Sequence, residues 1–104
     1  MKTVYIAGPM RGIPNNNVNA FADAADKLCQ KGWWPVNPID FDKVFGNSGD
    51  KTILAACMDA ELAAIPHLDA IFLLKGWEKS EGAKKELEVA LRHGLKVMLQ
   101  GDCP

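Results

Sequence analysis

The chain has 104 residues, 12 of them Lys or Arg and 13 Asp or Glu, for a net charge of −1. That length suits one domain, residues 1–104, with a single core, and the charge balance excludes the strongly basic surface of a nucleic-acid binder. At 48% hydrophobic and 24% charged the composition is that of a soluble globular protein, and no run approaches the ~20 apolar residues of a membrane span.

Residues 1–8 enter a strand with no signal-peptide core or cleavage site, which predicts a cytoplasmic protein. Cys29, Cys57 and Cys103 are odd in number and far apart, and His67 and His93 stand alone. Neither a disulfide framework nor a zinc site is expected, and no cofactor is called for.

Residues 3–7, Thr-Val-Tyr-Ile-Ala, are β-branched, aromatic and apolar, and read as a first strand. Gly8-Pro9-Met10-Arg11-Gly12 then makes a turn with two glycines and one cation; it lacks both the dinucleotide fingerprint and the P-loop. By itself it is either a tight strand-to-helix turn with a surface Arg or half of an anion site. Asn15, Asn16 and Asn17 offer N-caps for a helix running to about Lys31, with Val18, Phe21, Ala25 and Leu28 as its buried stripe and Gly32 as its stop. Trp34-Pro35-Val36-Asn37-Pro38 reads as a short edge strand, with Trp33 and Trp34 as core and edge cover.

Residues 39–50 are a loop of turn formers around Phe41 and Phe45, of a length that often covers a site. A helix is predicted from about Lys51 to Ile65, stopped by Pro66, with Ile53, Leu54, Cys57, Met58 and Ile65 sharing a broad apolar face. Asp59 lies opposite, among small residues, either solvated or packed against a ligand or another subunit. The apolar run Ala70 to Leu74 reads as a buried parallel strand at residues 69–74. After Gly76, Ser80 caps a helix from Glu81 to His93, Gly94 ends it, and Leu95 to Leu99 form a last strand.

Glu86 stands out in that helix. Ala83, Leu87, Ala90 and Leu91 form its apolar stripe, and Glu81, Lys84, Lys85, Glu88 and Arg92 its solvated face. Glu86 falls at the edge of the stripe beside Gly82, Val89 and His93. It is either a boundary glutamate with no task or a carboxylate partly withdrawn from water where a ligand can approach.

Alternating strands and helices predict a parallel α/β sheet with helices on both faces, and the rules of handedness favour the order 2-1-3-4, a flavodoxin-like three-layer sandwich. Ligands in such sheets bind outside the carboxyl ends of the strands, where the order reverses. That point lies between the first and third strands, where the turns carrying Arg11 and Ser80 meet. Backbone N–H groups and the helix dipole there suit a small anion such as a phosphate.

Tyr5-Ile6-Ala7-Gly8-Pro9-Met10-Arg11-Gly12, followed by Asp59, Asp69 and Ser80-x-Gly82-x-x-x-Glu86, resembles the nucleoside 2-deoxyribosyltransferase superfamily over nearly the whole chain. The nearest look-alikes are small phage-associated domains of unknown function and the 2′-deoxynucleoside 5′-monophosphate N-hydrolases. The resemblance implies cleavage of an N-glycosidic bond: Glu86 as nucleophile on C1′, Tyr5 orienting it, and Asp59 as proton donor or second orienter. It places Gly8, Arg11, Gly12, Ser80 and Gly82 around the substrate. Ser80, where nucleoside transferases tend to carry an acid, implies a nucleoside monophosphate as the small-molecule partner. It also implies a homo-oligomer whose subunits complete one another's sites. Lys84 replaces a common glycine and Glu88 follows Leu87 where a glycine is usual; both bear on the pocket's shape.

Overall fold

The computed structural model describes residues 2–10, 13–38 and 59–100. Four strands, β1 (Lys2–Ala7), β2 (Trp33–Val36), β3 (Ala70–Leu73) and β4 (Lys96–Leu99), pair in parallel in the order β2-β1-β3-β4. This is the predicted order, and it puts the switch point between β1 and β3.

The two central strands bury every residue from Val4 to Ala7 and from Ala70 to Leu73, as a strand covered on both faces must. Strand alternation then sorts side chains to two cores. Val4, Ile6, Ala70 and Phe72 pack with Phe21, Ala24 and Leu28 of helix α1 (Val18–Gln30) on one face. Tyr5, Ala7, Ile71 and Leu73 pack with Ile65, Ala83, Ala90 and Leu95 on the other. That second face is covered by the 59–64 helical segment, α2, its following 3-10 turn Ile65–His67, and helix α3 (Glu81–Arg92).

Local chemistry accounts for most element ends. Ser80 is the N-cap of α3, its Oγ accepting from the Ala83 N–H at 3.1 Å. The asparagines before α1 behave otherwise. Pro14–Asn17 form a 3-10 turn, and Asn17 makes no side-chain cap; its Nδ2 donates instead to the Pro9 carbonyl at 2.9 Å. A residue expected to hold a helix end thus holds the turn after β1. On α1, Ala24 is in the buried stripe and Ala25 only half-buried.

The stripe of α3 also differs from the expected one. Its buried residues are Ala83, Glu86 and Ala90, and Leu91 is 60% exposed. Positions 86 and 90 follow 83 by three and seven residues, the spacing of a single helix face. Glu86 therefore lies within the buried stripe, and Leu91 has rotated out of it. Trp33 packs on the α1 side of the sheet while Trp34, on edge strand β2, is largely exposed. Among the described residues, no helix is long and apolar enough to cross a membrane.

Candidate active site

The carboxyl ends of β1 and β3 are held together by backbone. The Leu74 N–H donates to the Ala7 carbonyl at 2.8 Å. Gly8 lies so close to the next strand that a Cβ there would sit 2.7 Å from Leu74 Cβ, well inside contact distance. This close approach, rather than room for a ligand, is what demands glycine at position 8. Across the cleft Gly76 turns the chain with φ +88°, and a Cβ on it would lie 3.4 Å from Pro9 Cγ. The two turns picked out by topology therefore touch, as predicted. Gly82 is half-buried in the first turn of α3. Arg11 and Gly12 lie outside the described residues.

Beneath these turns three polar side chains meet in the apolar layer between sheet and helices. Strand alternation sends Tyr5 toward α3, where it is fully buried and its hydroxyl donates to Glu86 Oε2. Glu61, on α2, is near enough to both that it raises the values of the Tyr5 phenol and the Glu86 carboxyl. Glu61 and Glu86 are each only 5% exposed, and among the described residues they are the buried charged pair. No buried side-chain polar atom among those residues lacks a partner, as a native buried network requires.

The electrostatics follow from that burial. Removal from water pushes the Glu86 carboxyl up to about 9; the Tyr5 hydrogen bond opposes the rise and the neighbouring Glu61 adds to it. The Tyr5 phenol is raised well above its ordinary value, first by burial and then by the charges of Glu86 and Glu61. A proton is therefore held in this cluster at neutral pH.

The remaining predicted positions separate from this cluster. Asp59 is on α2 but exposed, and the α2 residue that reaches Tyr5 and Glu86 is Glu61. Its signal was present in the sequence: Glu61 lies four residues from both Cys57 and Ile65, a charge in the middle of an apolar face. Lys84 and Glu88, the departures noted above, are exposed on the outer side of α3, where Lys84 pairs with Glu81 at 3.1 Å and Glu88 with Arg92. They do not intrude on Glu86.

Asp69 lies at the opposite, amino end of the sheet. Its Oδ2 accepts from the Thr3 N–H at 2.8 Å and from Thr3 Oγ1 at 3.1 Å, and these bonds hold its carboxyl below the usual range. A shallow cleft of about 250 Å³ opens at the ends of β3 and β4, between Leu73, Gly76, Trp77, Leu99 and Gln100. None of Tyr5, Glu61 or Glu86 lines it; the buried chemistry is on the β1 side of the Gly76 turn. Among the described residues no group of three or more His, Cys, Asp or Glu side chains is placed to hold a metal ion.

Comparison with known proteins bears on both the family and the fold. The family model described as a domain of unknown function, DUF4406, matches residues 2–99; the chain belongs to that family. Among solved structures, the 2-deoxyribosyltransferase from the psychrotolerant bacterium Bacillus psychrosaccharolyticus aligns with a TM-score of 0.74 at 20% identity, covering 93% of this chain and 70% of that one. At that identity the likeness is one of fold. No curated protein matches the sequence.

Proposed function

We propose that this DUF4406 domain cleaves the N-glycosidic bond of a deoxynucleoside 5′-monophosphate through a covalent intermediate on Glu86. The observation that carries the reading is a buried glutamate hydrogen-bonded by a buried tyrosine on the same face of a parallel sheet, below the point where strand order reverses. The fold shared with a 2-deoxyribosyltransferase supports it.

In this reading the ionised form of Glu86, oriented by Tyr5, attacks C1′ as the base departs. The intermediate is then resolved by water (hydrolysis) or by a second base (transfer). A phosphate would rest on the turn carrying Arg11 and Gly12 and on the start of α3. The Ser80 oxygen already accepts from Ala83, which leaves its hydrogen to donate to an anion. Gly82 would admit the sugar beside Glu86, and Gly8 serves by letting β1 and the β3 turn close up. Asp59 stands on α2 outside the buried trio. Active molecules are expected as homo-oligomers, which light scattering will show.

The test is direct. The protein is incubated with each deoxynucleoside monophosphate, with and without an acceptor base, and free base is measured. Release from at least one substrate is expected, with Glu86→Ala lowering turnover about 10³-fold or more. Absence of release in every mixture contradicts the reading. A second reading, a nucleotide- or sugar-phosphate-binding sensor, predicts calorimetric binding that survives Glu86→Ala with no product formed.

A further inference from the structure

We propose that two copies of this chain join along the outer edge of β4. The strand pairs antiparallel with β4 of the second copy, across a two-fold axis at Met98, and the two sheets become one. This specifies the interface of the expected homo-oligomer and needs no particular chemistry at Glu86.

The two edges of the sheet, β2 and β4, differ. Thr3 and Ala7 give their carbonyls to the β3 side, at Asp69 and Leu74. Val4 therefore faces β2, and in the Val4–Pro35 register its bonds go to the residues flanking Pro35, which turns outward. Proline has no N–H to offer a further strand, so that edge is blunted. On the other side the Lys96 N–H donates inward to the Asp69 carbonyl at 3.2 Å. Alternation then turns the N–H and C=O groups of Val97 and Leu99 outward. Among the described residues no strand lies beyond β4. A row of aligned donors and acceptors on such an edge is a template for another strand.

The side chains beside this edge are apolar. Val97 and Leu99 are in register with Ile71 and Leu73, on the face covered by α3, yet each is 38% exposed. Glu86 marks the flank of α3 turned to β1, where it meets Tyr5. Leu91, five residues on, lies about 140° round the helix, on the flank toward β4, and is largely exposed. The charges near Leu91 are balanced within α3, Lys84 by Glu81 and Arg92 by Glu88, so two such helices brought side by side do not repel.

A second copy satisfies backbone and side chains together. With the axis at Met98, Val97 lies opposite Leu99 of the partner subunit, and each such pair exchanges N–H···O=C bonds in both directions. Every outward donor of Val97 and Leu99 is used. The same axis keeps both α3 helices on one side of the joined sheet, so the exposed Leu91, Val97 and Leu99 of the two copies close over one another. Lys96 falls opposite Gln100 of the partner subunit, so no like charges oppose. Gln100 lines the cleft at the ends of β3 and β4, and each copy thereby adds a cation beside the other's cleft.

Sedimentation equilibrium over a range of concentrations is expected to give a dimer for the wild type. Val97→Pro gives β4 the device that β2 already has, removing half of the interchain bonds and none of those to β3. Leu91→Lys puts a charge into the apolar seam from a helix position that is exposed in the single chain. Each is expected to raise the dissociation constant about tenfold or more, while Trp34→Lys on β2 leaves it unchanged. Facing Cα atoms at a non-hydrogen-bonded pair lie about 4.5 Å apart, within disulfide reach. Oxidised Met98→Cys is therefore expected to yield a dimer whose digest contains two copies of one peptide joined at position 98. A monomer at every concentration overturns the proposal and the homo-oligomer expectation together. A dimer unmoved by Val97→Pro and Leu91→Lys, one weakened only by Trp34→Lys, or a Met98→Cys protein that cross-links only through other cysteines overturns the proposal and leaves that expectation standing. Base release is measured apart from all of these, so the glycosidic reading stands or falls on its own assay.

Discussion

The two ends of the sheet hold carboxylates that the protein treats in opposite ways. At the amino end Asp69 is exposed, accepts from the Thr3 N–H and hydroxyl, and is held below its ordinary range. At the carboxyl end Glu86 is buried beside a second carboxyl and is pushed up to about 9. Both accept hydrogen bonds from β1, so hydrogen bonding alone does not separate them. Burial does. A carboxylate that keeps its water and gains donors fastens two strands together, whereas one that loses its water keeps its proton to higher pH.

The largest effect that sharpens this contrast is catalytic. Tyr5→Phe removes the donor that favours the charged form of Glu86. Base release is expected to fall about 10- to 100-fold, the worth of one charge-assisted hydrogen bond, and the acid limb of the pH profile to move to higher pH. An unchanged profile would mean that Tyr5 does not set the charge on Glu86.

Stability should show the same contrast with opposite signs. The folded-state value for Glu86 lies above its unfolded value of about 4.5, so its contribution is fully present below about pH 4.5 and is lost as pH rises toward 9. Glu86→Gln, a neutral isostere, is therefore expected to be more stable than wild type near pH 9 by a few kcal/mol, on the order of the linkage. The advantage should shrink toward pH 5. Thermal melts of both proteins across that window check it, and parallel curves would show that no proton is held at Glu86.

The smallest effect lies at the other end. Asp69 has a lowered value, so its contribution is present above its unfolded value and fades as pH falls through the folded one. Asp69→Asn is expected to lower the melting temperature slightly at pH 7, with the difference closing in strong acid. A difference that persists there would assign the effect to lost packing rather than lost charge.

Much of this was legible in the chain. The apolar runs of β1 and β3, the Ser80 cap and the meeting of the Gly8 and Gly76 turns follow from local pattern and topology. Glu86 was singled out by the helix pattern, although it proved to be within the buried stripe rather than at its rim, whereas Tyr5 was picked out as a site residue by the resemblance alone. Glu61 was not read, because its burial depends on how α2 settles against β1 and α3, and periodicity drew attention to Asp59 on the other face. Asn17 shows the same limit: its sequence context suits a helix cap, and only the path of the chain after β1 reveals that its amide holds Pro9.

The most direct measurement is mass spectrometry of the protein quenched during incubation with each deoxynucleoside monophosphate. The account predicts a deoxyribose-phosphate adduct on the peptide carrying Glu86, absent from Glu86→Gln. Base release that proceeds undiminished in Glu86→Gln, or an adduct carried by another residue, would contradict it.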